Sequence, residues 1–246
     1  MTEFLIAVAA HFAWAAIGFA IIPISRLTLA IMPTRRLWRL SKPTDLIVCA
    51  ATSAIVDTGE YPRPATGIGQ LRALVLVAIS LRRAYSAFNL RHVLLSNEPL
   101  QTRIENDLIL LGGPETNAVT LRFMKELKDR KIVWQENHVQ YWLAESADAT
   151  LTPIVESRQV KVDFGLIVRM RNPFSRENRT VTIFSGTHTY GTSAAARYFT
   201  ENLYHRIRFR PWDRFRGSFA TIVRCEVVDG YPTHLSVVKH VSFEDD

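Results

Sequence analysis

Three short segments of the chain concentrate residue types that hold anions or move protons. Segment 57–70 carries Asp57, Thr58 and Glu60 within DTGEY and closes on Gly67, Gly69 and Gln70. Segment 112–117 reads GGPETN, with Gly112 and Gly113 ahead of Asn117. Segment 186–192 reads GTHTYGT, from Gly186 through His188 and Gly191 to Thr192. Glycines let backbone N–H groups approach an anion closely, and a following helix adds positive partial charge at its first turn. The third segment continues to Ser193 as G-x-x-x-x-G-T-S, which resembles a phosphate-binding loop in which Thr192 replaces the lysine. Without that charge, nucleotide triphosphate hydrolysis is not expected, although an anion cradle is. The plainer alternative is that Gly186 and Gly191 only permit a tight turn and close helix packing.

A carboxylate beside a sugar or phosphate can bind hydroxyls or act as a general base, so Glu60 and Asp57 are the candidate catalytic residues. A solvated loop carboxylate is the competing reading for both. His188 could contact a phosphate or donate a proton. No serine–histidine–aspartate or cysteine–histidine spacing is present, and no metal-binding pattern is, so no metal or cofactor is assigned. Cys49 and Cys225 stand far apart in the chain, which excludes a disulfide scaffold and a cysteine zinc site. Both are expected to be free, buried thiols.

The elements that must position these loops follow from hydrophobic patterning. Residues 45–51 form a short continuous apolar run that suits a strand buried on both faces, and 92–95 and 107–111 read as a second and a third strand. Residues 70–85 carry apolar residues at helical spacing, and Thr116 or Asn117 can cap a second helix running to about residue 129. Strand, loop and helix in repetition predict an α/β fold: a Rossmann-like, mostly parallel sheet with right-handed crossovers. The second half reads as hairpins, 159–170 with 180–184 and 218–228 with 234–243, so antiparallel strands should be added at the C-terminal side. In such a sheet ligands bind beyond the carboxyl ends of the strands, where all three segments fall.

Residues 4–24 hold no formally charged side chain and one histidine, and a predominantly apolar run of 21 residues suffices to cross a bilayer as one helix. The run is read as a transmembrane anchor rather than a cleaved signal, because no basic residue precedes it. Arg26, Arg35, Arg36, Arg39 and Lys42 follow it, which places the C-terminal domain in the cytoplasm. Residues 1–40 are therefore read as anchor and basic juxtamembrane segment, and 41–246 as the α/β domain. The juxtamembrane part, 27–40, is expected in the headgroup layer with Arg35, Arg36 and Arg39 on anionic lipid, or else to be a basic linker. Residues 1–40 hold four arginines and one glutamate, a net of +3, against +7 for all 246 residues. The basicity is thus partly a membrane feature. A nucleic-acid partner is not expected, even though Arg206, Arg208, Arg210, Arg214 and Arg216 interleave with Phe209, Trp212 and Phe215.

The pairing of DLILLGGPETN with TIFSGTHTYGTSAAA resembles a domain of uncharacterised bacterial proteins, in which a strand ends in Gly-Gly-Pro and a later one in Gly, with Gly-Thr and Ala-Ala downstream. The likeness spans roughly 45–200. It implies the Rossmann-like fold and a bacterial source, and carries no activity with it. Two functions remain open from the residues: a membrane-tethered sensor or regulatory domain for a nucleotide or similar phosphorylated metabolite, or an enzyme on a nucleotide-like substrate, acting at its glycosidic bond through Glu60 or Asp57.

Overall fold

The computed structural model describes residues 27–98, 103–128, 132–134, 141–143, 151–209 and 217–243, together with His11, Trp14 and Ser25. The apolar run 4–24 lies outside the described residues apart from His11 and Trp14, and no helix among the described residues is long and apolar enough to cross a membrane.

The protein is a mixed α/β fold around one eight-stranded sheet. Its parallel part consists of β1 (Ile47–Ala50), β4 (Val93–Leu95), β5 (Leu108–Leu111) and β10 (Thr180–Gly186), in the order β10-β5-β1-β4. Beyond β10 the sheet turns antiparallel through β9 (Gln159–Arg171), β11 (Ser218–Val228) and β12 (Tyr231–Phe243), with β8 (Ile154–Glu156) also on β9. Two hairpins lie off the sheet: β2 (Ala54–Asp57) with β3 (Pro62–Ala65), and β6 (Ile132–Trp134) with β7 (Tyr141–Leu143). The first occupies what reads in sequence as an unstructured loop.

Alternation of side chains across each strand builds two cores. Val48, Ile109, Leu111, Ile167, Phe184 and Phe219 face one side. There they meet α1 (Met32–Trp38), α2 (Ile68–Arg82), α4 (Thr189–Arg197) and α5 (Tyr204–Phe209). Ile47, Cys49, Leu108, Leu110 and Ile183 face the other side, covered by Phe123 and Met124 of α3 (Ala118–Lys128). From β1 the chain leaves through α2 towards β4, whereas from β5 it leaves through α3 towards β10. The strand order therefore diverges between β1 and β5, and the carboxyl ends of these strands are where such sheets bind ligands.

Within segment 27–40, Leu37 and Trp38 are fully buried, while Leu29, Met32 and the arginines are exposed. The Trp38 indole donates to Ser80 Oγ at 3.0 Å and its ring packs on Phe184 and Phe199. The core thus takes in α1, upstream of the boundary expected at residue 41. The same amphipathic pattern that suits a bilayer surface suits the protein's own sheet, and an apolar face at hand within the chain takes it first. Arg35, Arg36 and Arg39 remain on the exposed side of α1. Of the arginine-rich stretch, 210–216 lies outside the described residues.

Cys49 and Cys225 are both free and buried, and burial pushes each thiol up to about 12.

Candidate functional site

The carboxyl ends of β1, β5 and β10 bring the three segments together. Gln70, in the first turn of α2, is nearly buried, and its Oε1 lies 3.5 Å from the Thr189 hydroxyl that opens α4. That hydroxyl also accepts the N–H of Gly69 at 2.8 Å. On its other side the Gln70 amide faces Gly112: a Cβ on Gly112 would stand 3.6 Å from Gln70 Nε2. Gly112 has φ of +110°, and the same Cβ would sit 2.4 Å from that of Ala51, so only glycine serves where β1 and β5 part. Gly67 immediately precedes the first turn of α2 and contributes no side-chain cap.

Asn117 is used up in the structure itself. Its Oδ1 accepts the N–H groups of Val119 and Thr120, both at 3.1 Å, which caps α3. Its Nδ2 donates to the carbonyls of Cys49 and Leu111 at 3.4 and 3.3 Å, tying the ends of β1 and β5 together. Gly113 is buried in the turn beneath, its carbonyl accepting the Asn117 N–H at 3.0 Å. Asn117 therefore shapes the crevice without presenting a free donor to it.

The 186–192 loop already holds an anion, and that anion is Asp163 of β9. This carboxylate is fully buried. Its Oδ2 accepts the Gly191 N–H at 2.5 Å, and its Oδ1 accepts the N–H groups of Phe164 and His188 at 2.9 and 3.1 Å as well as the Thr187 hydroxyl. The loop donors that a phosphate would use are thus given to the protein's own side chain. The glycines serve close packing, as a Cβ on Gly191 would come within 2.0 Å of the Phe164 carbonyl oxygen and one on Gly186 within 2.3 Å of the Thr192 nitrogen. Thr192 is buried at 1% exposure. For this loop the plainer of the two expectations describes the geometry.

His188 is the exception within that loop. Its side chain is 38% exposed and its Nδ1 lies 3.4 Å from Asp163 Oδ1. The Asp163 carboxylate raises its pKa above the ordinary histidine value, against the opposing effect of burial, and Glu115 from the second segment adds to the rise. A buried carboxylate beside a half-exposed imidazole thus favours its cationic form.

Asp57 and Glu60 are both exposed and belong to the β2–β3 hairpin. Asp57 Oδ1 accepts the Gly59 N–H at 2.8 Å, and the Thr58 hydroxyl bonds the Tyr61 carbonyl, so both stabilise the hairpin turn. The carboxylates that act on His188 are Asp163 and Glu115. Asp163 was not singled out in the sequence, although an acidic residue in the middle of an apolar strand, followed by Gly165, is the signal that marks it. Among the described residues no group of three or more acidic, histidine or cysteine side chains could hold a metal ion. No protein-family model matches the chain, and no curated protein matches it in sequence.

Proposed function

We propose that the protein is a membrane-tethered sensor or regulatory domain that binds a nucleotide or similar phosphorylated metabolite at the carboxyl ends of β1, β5 and β10. On this reading the sheet is Rossmann-like, residues 4–24 form the anchor and the domain lies on the cytoplasmic side. Convergence of the three segments on the Gln70 side chain, at the point where the strand order diverges, is the observation that carries the reading. The cationic form of His188 supplies the charge for an anionic group, and the Gln70 amide supplies directional hydrogen bonding. The likeness to the uncharacterised bacterial domain fits this reading and adds no substrate to it.

Catalysis on such a ligand is the second reading, and the His188–Asp163 pair favours it, because a half-exposed imidazole beside a buried carboxylate is equipped for general acid–base work. In that case His188 takes the role first assigned to Glu60 or Asp57.

The test is a thermal-unfolding screen of the full chain in neutral detergent against nucleotides, dinucleotides and sugar phosphates. A ligand at about 100 times its Kd stabilises the folded state by about 2.7 kcal/mol. His188→Gln and Gln70→Leu should each reduce the shift. If no anionic compound raises the melting temperature, the ligand-binding reading is wrong. Turnover of the bound compound, lost in His188→Gln with binding retained, would establish the enzyme.

A further inference from the structure

A cavity of about 460 Å³ opens at the opposite end of the sheet from the candidate site, at the amino ends of β1 and β4. Its lining includes Asp45, Asn89, Arg91, His92, Arg103 and Asn106. Most of these groups are already committed. The Asp45 carboxylate pairs with Lys42 Nζ at 2.5 Å and lies 4.0 Å from Arg179, and Lys42 holds its pKa below the usual value. His92 Nε2 lies 3.2 Å from the Thr44 carbonyl, and its Nδ1 is 3.1 Å from the Asn89 nitrogen. Asn106 donates to the Asp45 carbonyl at 3.0 Å.

Arg91 and Arg103 are different. Both are exposed, and neither guanidinium has an ion-pair partner among the described residues. Two guanidinium groups without an ion-pair partner among the described residues, on a cavity whose described carboxylate, Asp45, is paired with Lys42, suit a phosphate or similar anion.

The surroundings indicate where that anion comes from. The connection from α2 to β4 carries Arg91, and it begins with Arg83, whose guanidinium lies 5.2 Å from the centre of the Tyr204 ring. The Tyr204 hydroxyl donates to the Leu29 carbonyl at 3.0 Å. The Arg39 carbonyl accepts the Thr180 hydroxyl at the start of β10. The described beginning of the chain, a few residues past the apolar run 4–24, therefore meets the same end of the sheet as this cavity. Arg35, Lys42, Arg82 and Arg83, on the segments that reach this end of the sheet, are exposed, a charge distribution complementary to an anionic lipid surface.

We propose that the cavity between Arg91 and Arg103 is a headgroup site that takes the phosphate of an anionic membrane lipid. This rests on the tethered reading of residues 4–24 and is independent of the ligand crevice at the other end of the sheet.

The full chain, purified in neutral detergent, is examined by native mass spectrometry with phosphatidylglycerol, phosphatidylcholine and, separately, inorganic phosphate. Phosphatidylglycerol should be retained over phosphatidylcholine, and the double variant Arg91→Gln/Arg103→Gln should lose about tenfold or more of the retained lipid, as expected for two charge-assisted contacts. Arg91→Lys/Arg103→Lys should fall between, because charge survives and the planar fork does not. Arg63→Gln/Arg158→Gln, an equal change of charge elsewhere, should keep retention within about twofold. Equal loss in that pair, or inorganic phosphate bound as well as the lipid, would overturn the proposal. Membrane fractionation of cells is read separately. A chain found in the soluble fraction removes the tether, while lipid retention through Arg91 and Arg103 still decides the cavity.

Discussion

Asp163 Oδ2 accepts the backbone N–H of Gly191 at 2.5 Å, across 28 residues of sequence, and this bond seats the amino end of α4 on β9. A carboxylate there replaces an external anion at the helix terminus, where the partial charge of the first turn favours it.

Asp163→Asn keeps the shape and removes the charge. It should destabilise the domain by about 3 kcal/mol, since several donors to a buried carboxylate are weakened together. Urea unfolding measures this. A loss under about 0.5 kcal/mol, the range of a neutral surface change, would mean the charge is not what holds the loop.

The His188 interaction gives a pH dependence of definite sign. Its folded-state pKa lies above the ordinary histidine value, so its contribution is fully present below that ordinary value and is lost as pH rises through the folded-state one. Stability and anion affinity should both fall as pH rises above the ordinary histidine value of 6.5. The effect on stability should be modest, because the side chain is 38% exposed. His188→Gln should flatten this part of the profile, and in Asp163→Asn the imidazole titration followed by NMR should move down. An unchanged titration in Asp163→Asn would dissociate the two residues.

Trp38 tests whether α1 belongs to the folded unit. Truncating this fully buried indole to alanine should cost about 3–5 kcal/mol. A linker or a lipid-bound strip would leave the unfolding of the domain unchanged on the same substitution.

The two thiols should resist alkylation at neutral pH in the native protein and react when it unfolds, since burial pushes both to about 12. Mass spectrometry after a timed exposure to iodoacetamide reads the difference. Rapid native labelling of Cys49 would mean that the face of β1 beneath α3 is open to solvent.

The sheet was readable where burial leaves no choice of residue. Strands β1 and β5 are continuous apolar runs because helices cover both their faces, and Asn117 declares itself as a cap by standing before an apolar-periodic segment. Strands β2 and β3 were hidden because Pro62, Pro64 and Gly59 read as loop, and an exposed hairpin needs no apolar alternation. Segment 32–38 was ambiguous in kind, since a basic amphipathic pattern does not say which apolar surface it meets. Asp163 was the hardest. Its meaning lies in partners 24 to 28 residues away, Thr187, His188 and Gly191, which only the fold brings to it. Convergence on Gln70 likewise depends on the register of parallel strands.

The strand that carries Asp163 also carries Arg169, on the same face and six residues further on. The Arg169 guanidinium is buried and donates to the carbonyl of Leu37 in α1 at 2.6 Å and to that of Gly217 at 2.8 Å. One end of β9 thus grips the helix through which the chain enters the domain, and the other grips the loop beside the candidate crevice. The span between them is about 20 Å of extended backbone, hydrogen-bonded to strands on both sides. Such a rod transmits a tilt without absorbing it. The orientation of α1 and that of the 186–192 loop are therefore fixed relative to one another through β9.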